Sequence, residues 1–239
     1  MTTVIAMWSG PRNISTTMMR AFGNRTDTAA LDEPFYAVYL AASRAEHPYR
    51  EQTLAAYPRD FERALAWIAE PRAAPILFLK HIAYHLQGDA DLSFLTSWRN
   101  FLLIRDPRAM VASFAGKFED ATPIVRSYEI ERRILDHLTR HGLPCPVIDA
   151  SDIQRAPEAM LRALCASLDI SFDPAMLAWT AGPRAHDGPW APHWYDAVNA
   201  STGFNPHLEK KLTLSSGLEE IAEQARPAYL ALHARRLVT

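Results

Sequence analysis

Five short apolar runs, each stopped by polar, charged or turn-forming residues, constrain the fold of this chain more than any other feature. Residues 4–8 read Val-Ile-Ala-Met-Trp and stop at Ser9-Gly10-Pro11, and residues 28–31 stop at Asp32-Glu33 before Pro34. Residues 75–79 lead into Lys80-His81, residues 101–104 into Arg105-Asp106-Pro107, and residues 146–149 close on Asp149. Runs of this length with such boundaries read as buried strands. Residues 15–22 and 124–141 between them and 157–168 after the last carry helical patterns, and a closing helix is expected over 217–237. Strands that alternate with helices across short turns pair in parallel through right-handed crossovers. The expected fold class is therefore α/β, a three-layer α/β/α sandwich around a central, mostly parallel sheet. Ligands in such sheets bind beyond the carboxyl ends of the strands.

The 239 residues suit one domain spanning 1–239, and a hydrophobic share of 49% is enough to fill its core. A formal net charge of -2 argues against non-specific nucleic-acid binding and leaves room for a local anion site. Cys145 and Cys165 lack metal-ligand spacing and cannot build a disulfide framework, which fits core positions in a reducing compartment. The first residues carry no basic region, and the apolar run after them is too short for a signal peptide or a membrane span. A cytoplasmic protein with no membrane association is expected. Residues 35–70 turn helical and aromatic, broken at Pro48 and Pro58, and residues 182–206 read as an ordered loop pinned by Trp190 and Trp194.

The strongest local arrangement is the first strand, the turn Ser9-Gly10-Pro11-Arg12-Asn13-Ile14, and a helix opening at Ser15-Thr16. Backbone N–H groups and the positive end of a helix dipole then converge on one point, where they can hold an anion. Arg12 adds forked cationic donors, and Ser15 and Thr16 add hydroxyls. The bland alternative makes Ser15 and Thr16 helix caps and Arg12 a solvated turn residue. The Walker pattern is missing, since Ile14 stands where its second glycine would be and no lysine precedes the hydroxyl pair. A second constellation follows the fourth strand: Arg105 at the strand end and Ser113 in the next helix can meet on another anionic group. An ion pair for Arg105 and simple packing for Ser113 are the alternatives.

Taken together, these two segments resemble the cofactor motifs of the sulfotransferase family that uses 3′-phosphoadenosine 5′-phosphosulfate, in a bacterial-type form. The resemblance covers roughly residues 4–35 and 76–170. It implies a P-loop NTPase-like fold, with Arg12, Asn13, Ser15 and Thr16 around the 5′-phosphosulfate and Arg105 and Ser113 around the 3′-phosphate. Commoner forms of the first motif carry Lys-Ser-Gly or Arg-Ser-Gly where this chain has Arg12-Asn13-Ile14. The late loop with Arg184, Gly188 and Trp190 is similar to the one that closes over the nucleotide, and Arg184 is a further candidate for the 3′-phosphate.

Sulfuryl transfer needs a base on the acceptor and positive charge on the leaving oxygen. Several members of the family place a glutamate where Glu33 stands, which makes it the first candidate base, with Asp32 as its competitor. Other members use a histidine two places after a lysine; here His81 follows Lys80 directly. Adjacent strand residues face opposite ways, so with Lys80 turned into the site as a charge stabiliser, His81 is the weaker base candidate. His81 and His85 have helical metal-pair spacing but no third ligand, and no metal is expected. The expected activity is sulfuryl transfer from 3′-phosphoadenosine 5′-phosphosulfate, as co-substrate, to a hydroxyl or amine of a small-molecule acceptor. A small-molecule kinase and a non-catalytic nucleotide-binding module are the rival readings. No nucleic-acid partner is expected, and a homodimer is left open.

Overall fold

The computed structural model describes residues 2–43, 45–86, 90–114, 121–208 and 212–239. The chain begins with β1 (Thr3–Ser9), α1 (Ser15–Gly23) and β2 (Thr28–Asp32). Three helices follow, α2 (Tyr36–Ser43), α3 (Arg50–Ala56) and α4 (Phe61–Ala69), before β3 (Ile76–Ile82) and β4 (Arg99–Ile104). Then come α5 (Pro107–Phe114), α6 (Thr122–Arg140), β5 (Val147–Asp149), α7 (Ala150–Arg155) and α8 (Pro157–Ser167). Two four-residue helices, α9 (Ala191–Trp194) and α10 (Asp196–Asn199), interrupt the late loop, and α11 (Ser216–His233) closes the fold.

The strands form one parallel sheet in the order β2-β3-β1-β4-β5. Period-2 alternation sorts their side chains into two cores. Ile5 and Met7 of β1 pack with Phe78, Phe101 and the α1 residues Met18 and Phe22. Ala6 and Trp8 pack on the other face with Leu79, Leu102 and the α6 residues Ile124 and Ile134. A sheet buried on both faces needs such near-continuous apolar strands, which is why the runs were readable in the sequence. The layers are those of an α/β/α sandwich.

Three boundaries differ from the sequence pattern. β3 continues to Ile82 and takes in Lys80 and His81, because pairing with β1 extends through Met7↔Lys80 and Trp8↔His81. Helix α7 starts at the very end of β5, where the Asp149 carboxylate accepts from the Ser151 backbone N–H at 2.8 Å and caps it. The closing helix stops at His233 rather than 237. Among the described residues, no helix is long and apolar enough to cross a membrane.

β1 lies between β3 and β4, whose connections run to opposite edges of the sheet. That reversal opens a crevice beyond the strand ends, and the crevice is where the candidate residues meet.

Candidate active site

Beyond β1 the chain makes its turn with Arg12 at φ 60° and enters α1. The α1 cap residue, Ile14, has no side-chain capping bond, so the N–H groups of the first turn stay open towards the crevice. Asn13 is buried and donates from Nδ2 to the Leu103 carbonyl, which ties the turn to β4. Arg105, one residue past β4, donates to the Arg12 carbonyl at 2.6 Å, and the Arg12 Nε donates to Ser113 Oγ at 3.2 Å. The two constellations singled out in the sequence are thus joined by hydrogen bonds.

Neither Arg12 nor Arg105 has a carboxylate within ion-pair distance among the described residues. Burial pushes the pKa of both guanidinium groups down, and for Arg105 the charge of Arg12 adds to the effect. Two desolvated like charges side by side are unfavourable until an anion joins them.

Beside the same cavity, β2 and β3 place Asp32 and Lys80 as register partners, so both side chains leave the sheet on one face. Glu33 then adopts φ 47°, while its N–H still donates to the Lys80 carbonyl at 2.8 Å. This left-handed residue turns the chain into α2 and swings the Glu33 carboxylate beside Lys80. The Lys80 ammonium donates to Asp32 Oδ1 at 2.8 Å, to Glu33 Oε1 at 2.5 Å and to the Tyr195 hydroxyl at 2.8 Å. Tyr195 donates to Asp32 Oδ2 at 2.7 Å and accepts from Trp190 Nε1 at 3.2 Å.

The attraction of two carboxylates keeps Lys80 charged, raising its pKa despite burial. Glu33 goes up from an ordinary 4.5 to about 7, because burial and the neighbouring Asp32 charge outweigh its pairing with Lys80. Positive φ in a non-glycine residue is strained by about 1–2 kcal/mol. Arg12 and Glu33 both carry that strain, and both lie in the cavity.

The cavity measures about 310 Å³. Arg12, Asn13, Ser15, Thr16, Arg105, Ser113, Glu33 and Lys80 all line it. An open groove of about 1020 Å³ shares Arg105, Ser113 and Asn205 with it and runs on past Asp149 and Gln154.

Two candidates lie elsewhere. His81 faces away from Lys80, as alternation along β3 requires, and is stacked 4.1 Å from the ring of its register partner Trp8 and 4.9 Å from Phe35. Burial drives its pKa down to about 3, and its nitrogens have no hydrogen-bond partner among the described residues. It is part of an aromatic core and does not line the cavity. Arg184 is used by its own loop, donating to the carbonyl and the hydroxyl of Thr180, and it too is absent from the cavity wall.

The late loop contributes Trp190, Trp194 and Tyr195 among the residues of the cavity wall. It is fastened by a buried pair in which Arg20 of α1 donates to both oxygens of Asp187, at 2.5 and 2.8 Å. Gly188 donates its N–H to Asp32 Oδ2 at 3.0 Å, and a Cβ there would run into the Trp190 ring. Tyr195, Tyr36 and His85 also line the cavity, and the sequence did not single them out as candidates for it. Tyr195 sits in a segment without periodicity, and His85 entered only as the second half of a metal pair. Among the described residues no group of three or more His, Cys, Asp or Glu is arranged to hold a metal ion.

A parallel sheet with a cavity beyond its strand ends that is lined by Arg12, Arg105, Glu33 and Lys80 makes this an α/β protein with a candidate active site. More narrowly, the chain belongs to the sulfotransferase domain family, whose sequence profile matches residues 3–236. It is 35% identical over 227 residues to the branched-chain-amino-acid aminotransferase-like protein 2 of Arabidopsis thaliana and 34% identical to protein 1 of the same plant. Each alignment covers 95% of this chain and about two fifths of the plant protein, 40% and 41%.

Among solved structures, a sulfotransferase from Alicyclobacillus acidocaldarius matches with a TM-score of 0.60 at 12% identity, covering 100% of this chain and 98% of that one. The sulfotransferase domain of the curacin biosynthetic pathway matches with 0.52 at 15% identity, covering 95% and 98%. The sulfotransferase domain of the Synechococcus PCC 7002 olefin synthase gives 0.51 at 16%, covering 92% and 93%. At these identities the likeness is one of fold.

Proposed function

We propose that the chain moves a sulfuryl group from 3′-phosphoadenosine 5′-phosphosulfate to a hydroxyl or amine of a small acceptor. The observation that carries this reading is the pairing of Arg12 and Arg105, desolvated and without a carboxylate partner among the described residues, in the same cavity as Glu33 and Lys80.

In this reading the turn at residues 10–14 and the start of α1 hold the 5′-phosphosulfate, Arg105 and Ser113 hold the 3′-phosphate, and the groove past Asp149 takes the nucleoside. Glu33 Oε1 is occupied by Lys80, so Oε2 receives the proton of the acceptor. The acceptor oxygen or nitrogen bonds to sulfur as the bridging sulfur–oxygen bond breaks, and the electron pair of that bond leaves on the 5′-phosphate. Arg12, which lines the same cavity without a carboxylate partner among the described residues, stabilises the charge that develops there, while Lys80, its three N–H groups taken by Asp32, Glu33 and Tyr195, orients Glu33. The products are the sulfated acceptor and 3′-phosphoadenosine 5′-phosphate. A carboxylate with a pKa of about 7 is matched to this work, being substantially ionised at neutrality yet basic enough to accept a proton.

Calorimetric titration with 3′-phosphoadenosine 5′-phosphate, ATP and AMP tests the reading. The bisphosphate is expected to bind preferentially, and Arg105→Ala to weaken it by roughly 10- to 100-fold, the worth of a charge-assisted contact, with AMP unaffected. Preference for ATP, or indifference to Arg105, would overturn it.

A further inference from the structure

Glu131 lies on the buried face of α6, fully enclosed, with neither carboxyl oxygen in a hydrogen bond among the described residues. No Lys, Arg or His of the described residues forms an ion pair with it. Burial pushes its pKa well above the carboxylate range, and the Gly10 N–H, which faces it from the turn after β1, offsets this only in part. The same face of α6 backs both segments that the sequence singled out. Ser127, one turn before Glu131, packs on Gly10, where an added Cβ would lie 3.5 Å from Ser127 Cβ and would run into Met110. Tyr128 donates its hydroxyl to the Arg105 carbonyl. A buried acid without a partner weakens a fold, and packing alone would favour an apolar side chain in its place.

We propose that Glu131 is a positioning residue for the 5′ anion of the donor: as an uncharged acid it takes the Gly10 N–H from behind as the turn closes on the anion in front; this rests on the sulfotransferase reading of that turn. Pro11 has no N–H, so Gly10 brings the last backbone donor ahead of the bend at Arg12. Fixing that donor fixes the direction in which the N–H groups that follow it point.

Only the uncharged form suits this position. A carboxylate there would repel the phosphosulfate across the turn and would itself be desolvated without a cation. The ionisable neighbours of Glu131 are Tyr128 on its own helix and Cys145 in the segment before β5, and burial raises the pKa of both, which keeps them neutral as well.

The test compares Glu131→Gln and Glu131→Met with the wild type by calorimetric titration with 3′-phosphoadenosine 5′-phosphate, AMP and adenosine 3′-phosphate, and by urea unfolding. Glu131→Gln keeps an accepting oxygen and should bind all three within about 2-fold of the wild type, less than the worth of a hydrogen bond. Glu131→Met keeps the length of the side chain without the acceptor. Its affinity for the two 5′-phosphates should fall by about 3- to 10-fold, the worth of one neutral hydrogen bond, with adenosine 3′-phosphate unaffected. The same substitution should raise the urea midpoint, because it removes a buried polar group that has no partner. Affinity lost while stability is gained is the pattern that a merely structural residue does not give.

Equal binding by Glu131→Met and the wild type, a parallel loss for adenosine 3′-phosphate, affinity lost together with a lower urea midpoint, or a Glu131→Gln variant no better than Glu131→Met would overturn the proposal. So would a Glu131→Gln variant that binds the 5′-phosphates more than about 3-fold more tightly than the wild type, the mark of a charged residue behind the turn. If the bisphosphate shows no preference over ATP while AMP binding still depends on residue 131 in this way, the sulfotransferase reading falls and the support of the turn stands. If the bisphosphate binds through Arg105 and is indifferent to Glu131→Met, the reverse holds.

Discussion

Glu33 Oε1 lies 2.5 Å from Lys80 Nζ, and this pairing leaves Oε2 without a bond from the ammonium. A carboxylate held in this way is oriented by its neighbour and kept basic by burial. Replacing it with its neutral isostere separates binding from chemistry.

Glu33→Gln is expected to lower turnover by about 10²- to 10⁴-fold, the usual share of a general base, with affinity for 3′-phosphoadenosine 5′-phosphate unchanged within about 2-fold. In the wild type kcat/KM should rise with pH through about 7, because the ionised carboxylate is the working form. The rising limb should vanish in the variant. Glu33 contributes to stability with the opposite sense: its raised pKa favours the fold below 4.5, and that contribution is lost as pH rises through about 7.

His81→Phe should leave turnover unchanged and make the protein more stable. A phenyl ring keeps the stack between Trp8 and Phe35 and removes two buried nitrogens without partners among the described residues, a gain of about 1 kcal/mol. The fold holds the imidazole neutral, with a pKa of about 3 against an ordinary 6.5, so wild-type stability falls as pH drops through that interval, where the unfolded chain takes up a proton and the folded one does not. Urea unfolding near neutrality and about two pH units lower should show the advantage of the variant widening on the acid side. A gap that stays constant or narrows contradicts the burial argument.

Arg20→Met should destabilise the protein by about 3–5 kcal/mol, since it strands the buried Asp187 carboxylate. The loop carrying Trp190 and Tyr195 hangs on this pair, so limited proteolysis should cut first within residues 182–206. Loss of stability without earlier cleavage there would show that Asp32, through Gly188 and Tyr195, holds the loop unaided.

Arg184→Ala should change affinity for the bisphosphate by less than about 2-fold, the behaviour of a surface residue without a ligand contact. A loss comparable to that of Arg105→Ala, measured by the same titration, would mean that the loop rearranges to bring Arg184 onto the nucleotide.

The amino-acid sequence by itself determined the strands, the parallel sandwich and the turn at Arg12, because each depends on residues close together in the chain. Apolar runs of strand length, a Ser-Gly-Pro stop and hydroxyls at a helix start are local signals, and burial on both faces of the sheet makes the runs almost continuously apolar. The opposed directions of Lys80 and His81 follow from strand alternation once β3 is known to run to Ile82, and that extension is set by pairing with β1.

Only the tertiary structure decided what completes the site. Tyr195 reaches Asp32 and Lys80 across more than a hundred residues of chain, and Arg105 reaches the Arg12 carbonyl across nearly as many. His85 acquires its place from two tyrosines on another helix and from a left-handed residue, Glu33, that turns the chain towards it. Such contacts form where elements pack, and no spacing within one segment encodes them. Arg184, by contrast, bonds locally, to Thr180 four residues before it.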